Sequence, residues 1–492
     1  MSKLVSLDLT LNSFHGNIPK ETGNMTKLQQ LDLSSNNFFG EIPPSVLNLK
    51  ELKVLILTDN SLSKEIPIDI GNLSNITTLD FSNNKLTGTI PSSIQKLTQL
   101  ETLQLENNLL TGEIPSCLFN IKGLKNLFLE GNYLTWNNKA KIMPRCTLSE
   151  LSMRSCGLTG EIPDWISTQK TLVHIDLSAN QLEGTFPLWL AEMNVNDIDL
   201  SGNNLKGFLP PSLFNSQSLT VLSLSWNNFY GELPSNIGNA TEIYHLSLDR
   251  NNFSGKLPES IVNYQALSAK SLPFKFYNLR NNSLQGSIPD CISNLTKLQI
   301  LDLSSNQLVG DIPTKIGNLA SMIETTNDSY VFIDFDMSDV ILNWKKTQQG
   351  SLNALKVLNI SHNNLYGRVP ASLGDLENLE SFGLVIQQYI RLNSTITCKI
   401  ATTDYFGYSS AMSRRPVTNN NHQRLRVRKH GSHGKECGIG YVVGFFVAVG
   451  NLYLIGYFVP TKPPNHRGPT KKAKGINSKY LTSYACSLWS KL

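Results

Sequence analysis

Leucines recur along the chain in a fixed pattern, L-x-x-L-x-L-x-x-N-x-L-x-G-x-I-P. The two leucines of L-x-L are two residues apart, so they point to one side of a short β-strand while their neighbours point to the other. Leu31 and Leu33 are therefore expected in a core, with Asp32 and Ser34 on the opposite face. The pattern predicts one short strand in every repeat.

The asparagine of the pattern shows how regular the repeat is. It recurs every 24 residues in the first part of the chain, at Asn12, Asn36, Asn60, Asn84, Asn108 and Asn132. The register continues with Cys156 in its place and then with Asn180, Asn203, Asn227, Asn251, Asn282, Asn306 and Asn363. Fourteen repeats can be recognised, and a degenerate fifteenth contains Leu379, Phe382 and Leu384, with Gln387 in place of asparagine.

One repeat of this length cannot bury its own leucines, whereas stacked repeats share a continuous core. The sequence therefore predicts an α/β solenoid that curves, with a parallel β-sheet on the concave face and short 3₁₀ or irregular segments on the convex side. A buried asparagine can donate to and accept from the backbone of adjacent coils. We therefore expect the repeated asparagines to be structural rather than ligand contacts.

The G-x-I-P segment, as in 40–43 and 160–163, combines a permissive glycine, a branched apolar residue and a proline with fixed φ. This combination predicts a turn that closes each coil onto the convex side. Together with the I-G-N-L spacers at 70–73 and 316–319, it makes residues 4–387 resemble the plant-type extracellular leucine-rich repeat.

Within that class the chain resembles the receptor-like proteins, which have a repeat ectodomain, one membrane span and a short tail without a kinase. The resemblance implies a cell-surface protein at the plasma membrane with its repeats outside. It also implies binding of an extracellular peptide or protein ligand, signalling through a partner receptor kinase in defence or development, and no cofactor.

The chain divides into six segments by pattern and composition. They are a solenoid at 1–318, a non-repeat island at 319–354, a final and a degenerate repeat at 355–387, a basic linker at 388–437, an apolar segment at 438–459 and a short basic tail at 460–492. The island is rich in aromatic and acidic residues. The resemblance implies that it folds against the solenoid, where it would either shape a binding site or only pack; the candidates for binding are Tyr330, Phe332, Asp334, Phe335, Asp336 and Trp344.

The linker is polar and basic, which predicts disorder. The apolar segment has no charge across 22 residues. At ~1.5 Å per residue it would span about 33 Å, which predicts a transmembrane helix, although a buried β-rich segment is an alternative. The flanking 20 residues hold five Lys or Arg before the segment and six after it, so charge leaves the orientation undecided.

Residues 414–492 hold 14 of the 43 Lys and Arg and one acid, Glu436. This leaves 29 bases against 37 acids before residue 414, so an acidic body precedes a basic tail. Such a tail suits anionic lipid headgroups or nucleic acid, or is simply solvated. We expect a membrane rather than nucleic acid as the partner, because of the adjacent apolar segment.

The chain departs from the receptor-like pattern near its ends. Its first residues, MSKLVSLDLT, read as a strand and lack the apolar core of a secretory signal. The cysteine-paired N-terminal cap is missing, one clear repeat follows the island, and the stretch before the span is basic. We therefore expect a product that is truncated, mis-assembled or atypical at both ends. The seven cysteines form no disulfide framework; Cys146 and Cys156 are expected either to bridge or to remain two buried thiols.

Large or charged residues at outward strand positions are the candidate ligand contacts, because the repeat places little restraint there. A first group consists of Glu106, Phe128, Glu130 and Arg154. A second consists of Trp226, Tyr244, His245, Asp249, Arg250, Lys275 and Arg280. Aromatic residues beside charges suit a peptide or protein partner, although a surface without a ligand could carry the same residues.

Ten N-x-S/T sequons predict glycosylation in the secretory pathway, but the spacer of the repeat also generates such triplets by itself. They lie at Asn24, Asn72, Asn75, Asn239, Asn252, Asn281, Asn294, Asn327, Asn359 and Asn393.

Catalytic motifs are not found: the chain has no phosphate loop, no H-E-x-x-H and no kinase signature. Its histidines fall in different repeats or in the basic regions, which makes a metal site unexpected. The sequence therefore predicts a receptor-like binding protein rather than an enzyme. The alternatives are a soluble repeat inhibitor of a secreted pathogen enzyme, similar to polygalacturonase-inhibiting proteins, and a non-functional fragment of a receptor.

Overall fold

A computed structural model of the chain describes residues 3–137, 142–262, 275–295, 298–320, 355–376, 379 and 381–384. Its main feature is a parallel sheet of fifteen strands, in which adjacent strands come from consecutive repeats. The strands are β1 (Ser6–Asp8), β2 (Gln30–Asp32), β3 (Val54–Ile56), β4 (Thr78–Asp80), β5 (Thr102–Gln104), β6 (Asn126–Phe128), β7 (Glu150–Ser152), β8 (His174–Asp176), β9 (Asp197–Asp199), β10 (Val221–Ser223), β11 (His245–Ser247), β12 (Lys275–Asn278), β13 (Leu298–Asp302), β14 (Val357–Asn359) and β15 (Ser381–Gly383).

Each strand lies directly beside the same segment of the next repeat, as in the pairs Leu7 with Leu31 and Leu31 with Leu55. Leu31 and Leu33 are 0% and 4% exposed, so the predicted inward positions are confirmed. Asp32 and Ser34 share the opposite face, where the Ser34 hydroxyl donates to the Asp32 carboxylate at 2.6 Å. Stacked leucines therefore form one core that continues from coil to coil.

The repeated asparagines form a hydrogen-bonded ladder through the core. The Nδ2 group of Asn108 donates to the carbonyl oxygens of Phe81, Leu105 and Glu106 at 2.9, 3.2 and 3.2 Å. Its Oδ1 accepts from the amide of Leu86 at 2.9 Å. The same arrangement recurs from Asn36 to Asn363, which confirms the predicted structural role.

Cys156 interrupts this ladder. Its thiol lies 3.8 Å from the Leu129 carbonyl and 3.5 Å from the Arg154 carbonyl, distances that a weak S–H donor can bridge. Cys146 and Cys156 are both buried and free, so of the two expected states the pair of thiols is the one present. Burial raises the pKa of Cys156 to about 12 and that of Cys146 to about 11, which keeps both thiols protonated.

The opposite side of each coil consists of short 3₁₀ helices, as predicted, and most of them begin directly after the proline of the repeat. The proline holds the backbone in an extended conformation just before the helix begins. It has no backbone N–H, but a residue at the start of a helix does not need one for the helical hydrogen bonds. The helices span Lys20–Asn24, Pro44–Asn48, Ile70–Asn72, Ser92–Lys96, Ser116–Asn120, Asp164–Thr168, Pro211–Asn215, Ile237–Asn239, Glu259–Val262, Asp290–Asn294, Ile316–Ala320 and Ala371–Asp375, with one α-helix at Leu188–Ala191.

A second set of short parallel strands follows the asparagine position of many repeats, and the sequence pattern did not predict it. Gly40, at φ 83°, shows how the repeat glycine allows the chain to turn out of such a strand. The strands form ribbons of two to four members: His15–Gly16, Asn37–Gly40, Ser61–Glu65 and Lys85–Thr87; Thr111–Glu113 and Tyr133–Thr135; Thr159–Gly160 and Gln181–Leu182; Lys206–Gly207, Asn228–Glu232 and Asn252–Ser254; Val309–Gly310 and Asn364–Leu365.

The island is inserted between two strands that are neighbours in the sheet, because β13 pairs directly with β14, Ile300 lying opposite Val357. The island candidates and the apolar segment at 438–459 lie outside the described residues. No helix within the described ranges is long and apolar enough to cross a membrane.

Candidate functional site

The outward side chains of β1–β15 and the turn residues directly before each ladder position form a continuous surface, here called the sheet face. Trp226 and Arg250, expected from the sequence at outward strand positions, are such turn residues. The strand side chains fall in three rows, at six, four and two residues before each ladder position. Among the described residues, the Lys and Arg at these positions are Arg154 and Arg280, whereas acidic residues are frequent. The acidic residues are Asp8, Asp32, Asp80, Glu106, Glu130, Glu150, Asp176, Asp197, Asp199, Asp249 and Asp302.

The first group of candidate residues, called the acidic cluster, is brought together on three consecutive coils. The backbone amide of Asn107 donates to the Glu130 carbonyl at 2.9 Å. Glu106, which directly precedes Asn107, therefore lies beside Glu130 on the next coil. Phe128 ends β6 and lies opposite Ser152 of β7. One carboxylate oxygen of Glu106 and one of Glu130, Oε2 in each, are buried without a hydrogen-bond partner.

The electrostatics of this cluster are unusual for a protein surface. Burial raises the pKa of Glu106 to about 8, and the negative charges of Glu130 and Asp80 add to the effect, while the Ser82 hydroxyl opposes it. Burial also raises the pKa of Asp199 to about 6, and Arg154 partly offsets the shift. Arg154 also lowers the pKa of Asp176, which burial raises.

The second group, called the aromatic cluster, is centred on two successive turn residues. Trp226 and Arg250 each precede a ladder asparagine and adopt the left-handed backbone conformation, with φ of 55° and 54°. The Arg250 guanidinium carbon lies 3.7 Å from the centroid of the Trp226 ring, a cation–π contact. The indole is nevertheless 53% exposed, so most of its surface is open to a partner.

A second aromatic pair lies one coil further along. The rings of His245 and Phe276 stack at 4.7 Å between centroids with an interplanar angle of 11°. Burial lowers the pKa of His245 to about 4, so the imidazole is neutral near pH 7. Phe276 was not among the site residues predicted from the sequence. It lies six residues before Asn282, just as His245 lies six residues before Asn251.

Lys275 corrects one expectation from the sequence. It is only 4% exposed, and its Nζ lies 3.4 Å from the Thr241 carbonyl oxygen, so it is not an outward residue of the sheet face. The outward position belongs to Phe276, which pairs in regular register with His245 of the preceding strand and lies six residues before Asn282. Tyr244 occupies the same place in its own repeat, one residue before the outward position, and is half-buried.

Asp249 and Arg280 complete the aromatic cluster at the row nearest the ladder. Asp249 is buried and accepts a hydrogen bond from the Ser225 hydroxyl of the preceding coil. Burial raises the pKa of Asp249, whereas the neighbouring charge of Arg250 lowers it. Arg280 is half-buried on the next coil, and its carbonyl accepts from the Arg250 amide at 2.9 Å.

The sequon asparagines differ in accessibility. Asn359 is half-buried, and its amide nitrogen donates to Asp302 at 3.0 Å, so it is poorly placed for a glycan. Asn327 and Asn393 lie outside the described residues. The exposed sequon asparagines are Asn24, Asn72, Asn75, Asn239, Asn252, Asn281 and Asn294. In the described part of the chain, no group of three or more His, Cys, Asp or Glu could hold a metal ion.

Comparison with known families agrees with this architecture. A profile described as "Leucine-rich repeat region" matches residues 1–186. A second, "Leucine Rich Repeat", matches 194–216, 218–240, 242–264, 297–319 and 354–376. Together they match more than half of the chain, which therefore belongs to the leucine-rich-repeat proteins. The search of the curated proteins finds no match.

Similar solved structures include ectodomains of plant membrane receptors. The chain is 34% identical to the ectodomain of the receptor kinase GASSHO1/SCHENGEN3 from Arabidopsis thaliana in complex with CASPARIAN STRIP INTEGRITY FACTOR 2, with a TM-score of 0.59 over 78% of this chain and 47% of that one. It is 30% identical to the Arabidopsis receptor kinase HAESA in complex with the peptide hormone IDA and the co-receptor SERK1, with a TM-score of 0.61 over 78% and 62%. The chain thus spans about half to two thirds of these ectodomains.

Proposed function

We propose that this chain is a receptor-like protein that binds an extracellular peptide or protein ligand on its sheet face. The observation that carries the proposal is the aromatic cluster, in which Trp226 is held beneath Arg250 while remaining 53% exposed. Tryptophan and arginine are enriched among the residues that dominate binding energy at interfaces. A tryptophan that is already fixed in place loses little side-chain entropy when a ligand covers it.

The pairing of His245 with Phe276 extends the same surface by one coil. Because His245 is neutral near pH 7, this part of the surface is apolar and suits an apolar side chain of a ligand. The neutral stack and the Arg250 cation together suit a peptide with both apolar and polar side chains. The complexes of GASSHO1/SCHENGEN3 with CASPARIAN STRIP INTEGRITY FACTOR 2 and of HAESA with the peptide hormone IDA support a peptide or protein ligand.

The proposed signalling partner is a receptor kinase acting as co-receptor, at the plasma membrane, with the repeats outside. The presence of the co-receptor SERK1 in the HAESA complex supports this part of the proposal. Residues 438–459 are the proposed membrane span, because they combine length with the absence of charge. The proposed process is perception of a defence or developmental signal.

The experiment uses the full chain, tagged and expressed in plant cells. Immobilised protein is incubated with peptides from apoplastic fluid, and retained peptides are identified by mass spectrometry, synthesised and titrated by isothermal calorimetry. We expect at least one peptide to bind and to promote co-immunoprecipitation of a SERK-type kinase. The absence of any retained peptide would contradict the proposal.

A matched pair of variants locates the site. Trp226→Asn removes the indole while keeping a residue that tolerates a positive φ. Tyr133→Asn removes an aromatic side chain that is 68% exposed in a strand of the second set. We expect the first variant to weaken binding about 30-fold or more, as for an interface hot spot, and the second to leave it unchanged. Equal effects would rule out the aromatic cluster as the site.

A further inference from the structure

The acidic cluster contains polar atoms that the fold itself leaves without partners. They are Oε2 of Glu106, Oε2 of Glu130 and the hydroxyl oxygen of Ser152. Ser152 is almost completely buried, at 2% exposure. Buried polar groups in native proteins nearly always have a hydrogen-bond partner, so three unpartnered atoms in one region indicate that a partner from outside the chain completes them.

These atoms lie on one continuous part of the sheet face. Glu106 and Glu130 occupy the same row on consecutive coils, since Asn107 bonds to the Glu130 carbonyl. The row continues to Arg154 and Ser178, because the Ser155 amide donates to the Ser178 carbonyl at 3.0 Å. Ser152 lies in the adjacent row, between Phe128 and Asp176. The unpartnered atoms therefore lie on the same face over three coils.

Burial and the negative charges of Glu130 and Asp80 disfavour the charged form of Glu106, whose pKa is raised to about 8. The Glu106 carboxyl is therefore protonated near pH 7. A cation placed beside it would favour release of that proton. The chain thus presents two neighbouring glutamate side chains and the Ser152 hydroxyl, whose common complement is a cationic donor.

We infer, on the premise that the sheet face binds the ligand as proposed above, that the acidic cluster binds a basic side chain of an extended ligand segment. The Glu106 carboxyl releases its proton to solvent when the cation binds, and the two carboxylates then accept hydrogen bonds from the charged N–H groups of the basic side chain, while the Ser152 hydroxyl accepts a remaining donor. Phe128, beside them, offers an apolar surface for the stem of the same side chain.

An arginine side chain fits this arrangement better than a metal ion. The guanidinium has five donors in a fixed fork, which can serve two carboxylates and a hydroxyl together. A metal site needs more protein ligands close together, and the described residues contain no such group of three His, Cys, Asp or Glu. The ligand chemistry inferred is therefore a peptide or protein segment with an exposed arginine or lysine.

The test uses the full chain and two random peptide libraries that differ at one fixed position. One library carries arginine there, and the other carries citrulline, which has nearly the same shape without the charge. Retention on the immobilised protein is measured by quantitative mass spectrometry, and selected pairs are titrated individually. We expect arginine peptides to bind about tenfold or more tightly than their citrulline partners, as for a charge-assisted pair.

The double variant Glu106→Gln/Glu130→Gln keeps the shape and removes the charge, and circular dichroism checks that it folds. We expect it to abolish the preference for arginine, whereas Glu113→Gln, an exposed carboxylate in a strand of the second set, should retain it. A preference that survives in the double variant, or that Glu113→Gln also abolishes, would overturn the inference. So would a preference that disappears when EDTA is added, since that would indicate a metal ion.

The outcomes for the wild-type chain separate the two proposals. Equal retention of both libraries would overturn the inference and leave the proposed function standing. Retention of neither library, at any peptide concentration that remains soluble, would count against the sheet face as a peptide site and so against both.

Discussion

Each ladder asparagine stabilises the core, because its side chain forms hydrogen bonds with several buried backbone groups that have no backbone partner in the coil. Asn108 satisfies three carbonyls and one amide from its own and the preceding coil. Leaving such buried groups unpaired costs more than the ordinary value of a hydrogen bond. We therefore expect single substitutions in the ladder to lower the free energy of unfolding more than substitutions elsewhere.

We expect Asn108→Ala to lower the free energy of unfolding by about 3 kcal/mol, because several buried backbone groups lose their partner. Asn12→Ala is the matched control: it occupies the same repeat position, but its side chain is exposed and bonds only within its own coil. Its expected cost is below about 1 kcal/mol. Urea denaturation followed by circular dichroism measures both, and similar losses would contradict the structural role of the ladder.

Glu106 should make stability depend on pH in a defined direction. Its pKa is raised from 4.5 to about 8 by burial and by Glu130 and Asp80, so the folded chain holds the proton more tightly than the unfolded chain. The stability that this group contributes is present below about 4.5 and is lost as pH rises to about 8.

The corresponding experiment compares wild type with Glu106→Gln between about pH 4 and about pH 8.5, which is about half a unit beyond each end of that window. We expect equal melting temperatures at the acidic end and a higher melting temperature for the variant at the alkaline end. Glu113→Gln, which removes an exposed carboxylate, should follow the wild type. A variant that is less stable than wild type at alkaline pH would show that the Glu106 carboxylate is compensated after all.

The sequence predicts the ladder and most of the site residues at this scale, because both follow from counting within the repeat. It also gives the outward position to Phe276 rather than to Lys275, so the Lys275 prediction was wrong by one residue of counting. The sequence cannot reveal that Arg250 lies over Trp226, since that contact depends on side-chain conformations.

At the scale of elements, the 3₁₀ helices of neighbouring coils approach so closely that the I-G-N-L glycine is a packing requirement. A Cβ on Gly238 would overlap the backbone carbonyl of Ser260 in the next coil, and Gly71 meets Ser93 in the same way. Gly374 occupies the same repeat position, yet a Cβ added there would have no atom of the described chain within 4 Å. At Gly71 and Gly238 the glycine is thus needed because the helix of the next coil approaches closely.

We expect Gly238→Ala to lower the free energy of unfolding by about 2 kcal/mol, because the backbone of two coils must separate. Gly374→Ala should be neutral or slightly stabilising, since it only restricts the unfolded chain. Thermal unfolding of both variants beside wild type gives the comparison. A larger loss for Gly374→Ala would contradict the packing account.

The strands of the sheet were predictable from L-x-L alone, and the 3₁₀ helices from the position of proline. The second set of strands was not, because it lies where the repeat has few apolar residues. Those strands depend on backbone pairing between coils, for example Thr111 with Tyr133, and carry little side-chain pattern of their own.

At the scale of the whole described chain, the sheet face is continuous from β1 to β15, and the acidic and aromatic clusters are different parts of it. The repeat fixes the backbone of every coil, so the outward residues vary without cost to the core. Acidic residues dominate this face, while Trp226, Arg250 and the His245 stack form its main aromatic surface. A ligand that carries both a basic and an apolar side chain matches the two clusters.

Site-specific photo-cross-linking tests most directly whether the sheet face is the binding surface. p-Benzoylphenylalanine is placed at Phe276, within the aromatic cluster, or at Leu188, which is 63% exposed in the α-helix on the other side of the coil. The full chain is then irradiated with a peptide retained from apoplastic fluid. We expect a covalent adduct from position 276 and none from position 188. An adduct from position 188, with none from position 276, would contradict binding on the sheet face.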